Sequence, residues 1–142
     1  DVVHFASHAE FSEMDPLYSG VRLAKDQQDD GRLDVAEVFS LELHPYLITL
    51  SACQTGLGVA TSGDEVIGMN RAFIYAGAPS ILASLWSVSD LSTAQLMETF
   101  YRNLQTMPKD EALQKAQMAV LAMERFSDPF YWAPFYLTGD WR

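Results

Sequence analysis

A chain of 142 residues with 49% hydrophobic residues can bury one core over residues 1–142, because a domain of about 150 residues removes roughly 68–70% of its unfolded surface from water. Its net charge of −10 argues against nucleic acid as a partner, since phosphate binding needs clustered lysine and arginine. With no apolar run near the ~20 residues of a membrane span, no secretory signal and a single cysteine, the composition predicts a soluble cytoplasmic domain that does not bind a membrane.

Short runs of β-favouring residues alternate along the chain with longer helical patterns. Buried strands are predicted over 2–7, 47–52, 79–86 and 134–139, with a weaker strand nearer an edge over 19–25. Helices are predicted over 33–38, 64–77, 90–105 and 109–126. This order predicts an α/β fold with a mostly parallel sheet and right-handed crossovers.

The helical segments carry start and stop signals. Asp34 at the N-cap and Glu37 three residues later form a capping-box pattern. Gly77 follows the second helical pattern as a C′ residue, and Pro79 stops its continuation. In the last helix, early acidic residues and the late Arg125 match the helix dipole.

Two of the predicted strands lead to residues capable of nucleophilic chemistry. The first strand leads to His8 and the second to Cys53. Because neighbouring parallel strands end at one edge of the sheet, we expect the two side chains about 5 Å apart. An imidazole there removes the thiol proton or stabilises the thiolate. Taken singly, each residue also has a structural alternative. Cys53 could be a small buried core residue, and His8 a histidine that is merely hydrogen-bonded within the structure.

The remaining candidate ligands carry weaker signals. His4 shares a strand face with His8 and is interpreted as a core or supporting residue, and His44 as a loop residue. Together with Cys53, these histidines match none of the compact zinc-ligand spacings. The segment after the second strand has Thr61 at the third glycine position of a dinucleotide motif. No metal and no cofactor is therefore predicted.

Five segments, in family order, resemble the CHAT domain, a caspase- and separase-like cysteine peptidase module found widely in bacteria. They cover nearly the whole chain and read VVHFASHAEF, LITLSACQTGLG, GDEVIGMNRAFIYAGAPSILASLWSVSD, LMETFYRNL and YWAPFYLTGDW. The caspase signature Gln-Ala-Cys-[Arg/Gln/Gly]-Gly, with a histidine roughly 50 residues upstream, is related to residues 51–56 here. In this chain Cys53 follows His8 by 45 residues.

The resemblance implies a caspase-like three-layer sandwich with helices on both faces of the sheet. It also implies a cysteine endopeptidase that cleaves a protein or peptide partner, with Cys53 as nucleophile and His8 as catalytic histidine. The backbone N–H groups of Ala9 and Cys53 would form the oxyanion hole. The family usually has glycine after the histidine, and Ala9 would be strained at a positive φ.

The resemblance also bears on the surroundings of the domain. The family's domain begins upstream of the histidine strand, so we expect its leading strands to be missing and the fragment alone to be inactive. The sheet edge exposed in this way invites dimerisation. Family members often carry tetratricopeptide repeats upstream, which implies a repeat domain as a regulatory partner. The alternative function is that of a catalytically inactive interaction module with the same fold.

Four further residues are candidates for the substrate pocket: Gln54, Asp64, Trp86 and Asp90. Trp86 and Asp90 follow the third strand at its carboxyl end, with packing and helix capping as their structural alternatives. Asp64 marks either the start of a helix or the rim of a pocket for basic side chains. Gln54 directly follows the predicted nucleophile.

Overall fold

The computed structural model describes residues 1–10, 12, 14–51 and 64–142, without the side chains of 64–67. The strands in these ranges are β1 (Val2–Phe5), β2 (Ala9–Glu10), β3 (Gly20–Arg22), β4 (Arg32–Asp34), β5 (Leu47–Leu50), β6 (Ser80–Ser84) and β7 (Phe135–Gly139). The α-helices are α1 (Val35–Val38), α2 (Asp64–Tyr75), α3 (Asp90–Asn103) and α4 (Lys109–Leu121). Short 3-10 turns cover Pro16–Tyr18, Glu124–Phe126 and Pro129–Tyr131.

The main sheet has the strand order β1-β5-β6-β7. β5 lies parallel to β1 on one side and to β6 on the other, whereas β7 runs antiparallel to β6. The mostly parallel α/β sheet is thus confirmed. The last strand, predicted as part of the parallel set, has the opposite direction because two helices instead of one separate it from β6. The second helix brings the chain back to the end of β6, where the Leu85 N–H donates to the Pro134 carbonyl at 3.0 Å.

Helices cover both faces of the main sheet. One core lies between the sheet and α1 with α2, and the other lies between the sheet and α3 with α4. Every residue of β5 is buried, with Ile48 in the first core and Leu47 in the second. Burial on both faces explains why this strand is a continuous apolar run without alternation. The three-layer arrangement predicted for the chain is confirmed.

A separate antiparallel sheet consists of β2, β3 and β4. The placement predicted for the strand over 19–25 was wrong. The part of this segment that forms a strand, β3, is the central strand of the second sheet. Arg22 explains the difference, since its guanidinium pairs with the Glu10 carboxylate across the small sheet. A charged strand of this kind does not fit inside a two-faced apolar layer.

The helix signals are largely confirmed. α1 is a single turn, and the Asp34 N–H donates to the Glu37 carboxylate at 2.8 Å, as a capping box requires. Gly77 follows α2 with φ 109°. Arg125 lies beyond α4 in a 3-10 turn, so its predicted place in the last helical turn was wrong. No helix in the described ranges is both long and apolar enough to cross a membrane.

Candidate active site

A pocket of about 560 Å³ opens where β1 and β5 end, beside the first turns of α3. This is the place where open parallel sheets hold their ligands. One side of the pocket is apolar, with Ala94 and Met97 of α3. The polar side chains that line it among the described residues are His4, Ser7, His8, Arg22, Ser51, Asp90 and Thr93.

His8 reaches this pocket by a short segment after β1. The strand ends at Phe5, three residues earlier than the histidine. The His8 carbonyl accepts the Arg22 N–H at 2.8 Å, which anchors its backbone to β3. Its ring is exposed, lines the pocket and forms no hydrogen bond within the described ranges. The ring is therefore available to act on a group bound in the pocket.

Ala9 is the first residue of β2 and is 3% exposed. No non-glycine residue in the described ranges has a positive φ, so the expected backbone strain at Ala9 is absent. The hydrogen bond from Arg22 to the His8 carbonyl makes Ala9 and Val21 a non-hydrogen-bonded pair of the antiparallel ladder. The Ala9 N–H therefore points away from β3 and is not used by that ladder.

The predicted nucleophile and part of the predicted pocket lie outside the described residues. This applies to Cys53 and Gln54, and also to the side chain of Asp64, whose backbone begins α2. Their assigned roles remain predictions. The described chain before them ends at Ser51, whose side chain lines the pocket two residues ahead of Cys53.

Asp90 and Trp86 differ in their placement. Asp90 is the first residue of α3, follows the N-cap residue Ser89, and lines the pocket with an exposed side chain. The Trp86 indole N–H donates to the Phe130 carbonyl at 3.1 Å, and its ring stacks on the Phe130 ring with centroids 6.4 Å apart. Trp86 is absent from the pocket lining. Its position therefore agrees with the structural alternative, in which this side chain packs against neighbouring residues.

His4 occupies the pocket floor within a hydrogen-bond network. Its Nε2 lies 2.6 Å from the Ser51 hydroxyl, and its Nδ1 lies 3.0 Å from the Tyr101 hydroxyl. Tyr101 also donates to the Thr49 hydroxyl at 2.9 Å. Partial burial lowers the pKa of His4. Burial raises the pKa of Tyr101, and the hydrogen bond to Thr49 acts in the opposite direction.

The segment that carries His8 is supported by an ion-pair cluster. Glu10 of β2 accepts hydrogen bonds from Arg22 of β3 and from Arg32 of β4, the latter at 2.7 Å. The hydrogen bond from Arg22 lowers the pKa of Glu10, and the charges of both arginines act in the same direction. The cluster joins all three strands of the small sheet, and within it Glu10 neutralises the charge of Arg22, which lines the pocket.

Sequence reasoning missed four of the polar residues that line the pocket, Ser7, Arg22, Ser51 and Thr93. It also missed Tyr101, which contacts His4 without lining the pocket. A signal existed for Tyr101, because it follows the buried Phe100 on α3 and a half-buried tyrosine hydroxyl needs a partner. No local pattern points to Arg22 or Ser51. Their roles arise from pairing with strands that are distant in sequence.

His44, the third histidine, is exposed and does not line the pocket. The part of the chain that the structure describes contains no group of three or more histidine, cysteine, aspartate or glutamate side chains arranged to hold a metal ion.

Nearly the whole chain is similar to known proteins. Residues 1–140 match the family described as the CHAT domain. The chain is 35% identical over 109 residues to human tetratricopeptide repeat protein 28 and 34% identical over 109 residues to the mouse protein of that name. Each alignment covers 76% of this chain, and the chain spans only 4% of the length of these relatives.

Proposed function

Because the chain belongs to the CHAT domain family, we propose that it is a cysteine endopeptidase domain that cleaves a protein or peptide partner through Cys53 and His8. The observation that carries the proposal is the position of His8. Its exposed ring lines a pocket at the ends of two parallel strands, and the same pocket is lined by Ser51, which precedes Cys53 by two residues.

In the proposed reaction, His8 takes the proton of Cys53 and the thiolate attacks the carbonyl carbon of the scissile peptide bond. The tetrahedral intermediate collapses when His8 donates that proton to the leaving amine, and a thioester on Cys53 remains. Water deprotonated by His8 then releases the acid and restores the thiol. The Ala9 N–H, which the β2–β3 ladder does not use, supports a role for Ala9 as an oxyanion donor.

The walls of the pocket favour a basic side chain in the substrate. Asp90 offers a carboxylate, while Ala94 and Met97 offer an apolar surface for the stem of a lysine or arginine. Arg22 is the cation among the described lining residues, and its pairing with Glu10 leaves the Asp90 charge uncompensated. We therefore expect substrates with lysine or arginine next to the cleaved bond.

The surroundings of the domain follow from its relatives. The matched proteins are named for tetratricopeptide repeats, which supports a repeat domain upstream in the full-length protein that presents the substrate or restrains the peptidase. Strain at Ala9 was one argument for the alternative of an inactive interaction module. The extended backbone of Ala9 in β2 removes that argument.

The test is cleavage of a random peptide library by the full-length protein, with products identified by mass spectrometry. Cys53→Ala should abolish cleavage, and His8→Ala should slow it at least about 100-fold, as loss of a general acid and base does. His44→Ala is the matched control, because this exposed histidine lies outside the pocket. Unchanged cleavage by Cys53→Ala and by His8→Ala would refute the proposal.

A further inference from the structure

Hydrogen bonds between the chain segments of β1 and β5 continue one residue beyond the end of their ladder. The paired residues end with Phe5 opposite Leu50. One residue further, the Ser51 N–H donates to the Phe5 carbonyl at 3.2 Å, and the Ser51 hydroxyl contacts His4 Nε2 at 2.6 Å. In the sequence, His8 follows Phe5 by three residues and Cys53 follows Ser51 by two.

The other side of the His4 ring is held equally closely. Nδ1 contacts the Tyr101 hydroxyl of α3, and that hydroxyl donates to Thr49, which is fully buried in β5. Thr49 is the residue opposite His4 in the strand register. The ring therefore connects three elements, with a partner on each nitrogen, although it lies on the outer strand and is itself exposed.

The directions of the hydrogen bonds select one form of the ring. Tyr101 uses its only hydrogen toward Thr49, so its oxygen accepts the hydrogen of His4 Nδ1. In the neutral ring Nε2 then carries no hydrogen and accepts the Ser51 hydroxyl at 2.6 Å, a closer partner for that hydroxyl than the Phe5 carbonyl at 3.4 Å. A neutral imidazole, with one donor and one acceptor on opposite sides, fits these two hydroxyl groups.

We propose that His4 is a positioning residue, which holds the ends of β1 and β5 together so that His8 and Cys53 meet in a reactive arrangement. The inference rests on the proposed function. An apolar side chain would fill the same volume but leave Ser51 and Tyr101 each without one of its hydrogen-bond partners. Within this network, the hydrogen bond between His4 and Ser51 involves the residue nearest to Cys53 in the sequence.

Two substitutions of His4 distinguish the contact of Nε2 from the contact of Nδ1. The amide of His4→Gln reaches the position of Nε2 and retains a bond to Ser51, whereas the shorter amide of His4→Asn reaches only the position of Nδ1 and retains the bond to Tyr101. The readout is the rate at which iodoacetamide alkylates Cys53 at neutral pH, followed by mass spectrometry of its peptide. This rate reports the thiolate that His8 stabilises.

We expect alkylation to slow at least about tenfold in His4→Asn and in Ser51→Ala, and less than about threefold in His4→Gln. The double variant His4→Asn with Ser51→Ala should be no slower than the slower single variant, because both changes break the same contact. Tyr101→Phe breaks the Nδ1 contact alone and should slow alkylation less than Ser51→Ala. Urea unfolding of each variant shows whether a slow rate reflects lost folding.

The outcomes distinguish this inference from the proposed function. If His8→Ala leaves the alkylation rate unchanged, the Cys53–His8 pair itself is refuted. If His8→Ala slows alkylation but folded His4→Asn and Ser51→Ala react like the unsubstituted protein, the positioning role is refuted and the pair stands. Equal slowing by His4→Gln and His4→Asn, at equal stability, would also overturn the assignment of the effect to Ser51.

Discussion

The pocket contains polar side chains whose hydrogen-bond partners come from different elements. His8 has an exposed ring and an anchored backbone, whereas His4 has a ring bound on both nitrogens. The two histidines lie four residues apart in the sequence, yet within the described ranges only the ring of His4 is held by hydrogen bonds. The free ring of His8 suits the proposed proton transfer, and the bound ring of His4 suits the proposed positioning role.

Asp90 allows a test of the proposed specificity at the level of one residue. Asp90→Asn should lower kcat/KM about tenfold for peptides with lysine or arginine at the cleaved bond, because the carboxylate no longer attracts the basic group. Asp110→Asn is the matched control, since Asp110 is an exposed acid in the first turn of α4. A loss of the same size for peptides with neutral residues at this position would contradict the role in specificity.

His4 also predicts a pH dependence of stability. Burial lowers its pKa below the ordinary value of 6.5, so the unfolded chain binds this proton at a higher pH than the folded protein does. The free energy of unfolding should therefore decrease as the pH falls below 6.5 and level off below the folded pKa. Urea unfolding between pH 8 and pH 5 should show a smaller decrease for His4→Gln than for the unsubstituted protein. Parallel curves would contradict the prediction.

At the scale of secondary structure, the ends of helices depend on residues that allow an abrupt change of direction. α2 ends at Tyr75, and the Ala78 N–H donates back to the Phe73 carbonyl at 3.0 Å. Between them, Gly77 has φ 109°, and a Cβ atom there would lie 2.2 Å from the Leu43 carbonyl oxygen. The turn that leads from α2 into β6 therefore requires glycine.

Gly77→Ala should lower the free energy of unfolding by at least about 2 kcal/mol, because the alanine combines a disfavoured φ with a backbone clash. Gly68→Ala is the matched control. Gly68 lies inside α2, and apart from its own helix backbone and chain neighbours no atom of the described residues lies within 4 Å of a Cβ position there, so alanine should stabilise the protein by about 0.5–1 kcal/mol. Chemical denaturation measures both, and equal effects of the two substitutions would disprove this explanation.

At the scale of the whole molecule, a buried lysine joins segments that are distant in the chain. Lys109, at the start of α4, is 1% exposed. Its Nζ donates to the Asp140 carbonyl at 3.2 Å and to the Arg142 carbonyl at 2.6 Å, and lies 3.9 Å from the centre of the Tyr46 ring. The Tyr46 N–H in turn donates to the Asp1 carbonyl at 2.6 Å. The two termini and the start of α4 are thereby held together.

Lys109→Met should destabilise the protein by about 2 kcal/mol or more, because two backbone carbonyls lose a charged donor and the ring of Tyr46 loses a cation. The exposed Lys115 on the same helix provides the control, and Lys115→Met should change stability by less than about 0.5 kcal/mol. Thermal and urea unfolding measure both. Equal stability of the two variants would show that the lysine contributes no net stabilisation.

β1 is the outer strand of the main sheet, and its Val2 and Val3 are 41% and 39% exposed. An open strand of this kind presents unpaired backbone groups and apolar side chains to another chain. Dimerisation through this edge therefore stays a prediction.

The sequence alone determined the order of the main-sheet strands and of the α-helices, the capping box at Asp34, the glycine stop at Gly77 and the family segments. These features depend on the local spacing of residues or on uninterrupted stretches of chain. It also identified His8 as a pocket residue, because strand ends in a parallel sheet meet at one edge.

Only the tertiary structure decided the direction of β7, the separate small sheet and the partners of His4 and Lys109. His4 and Tyr101 lie 97 positions apart, and the residues that Lys109 binds lie more than 30 positions away. No periodicity or composition encodes which distant groups meet. Such contacts follow from how whole elements pack, and the hydrogen bonds that support the pocket are contacts of this kind.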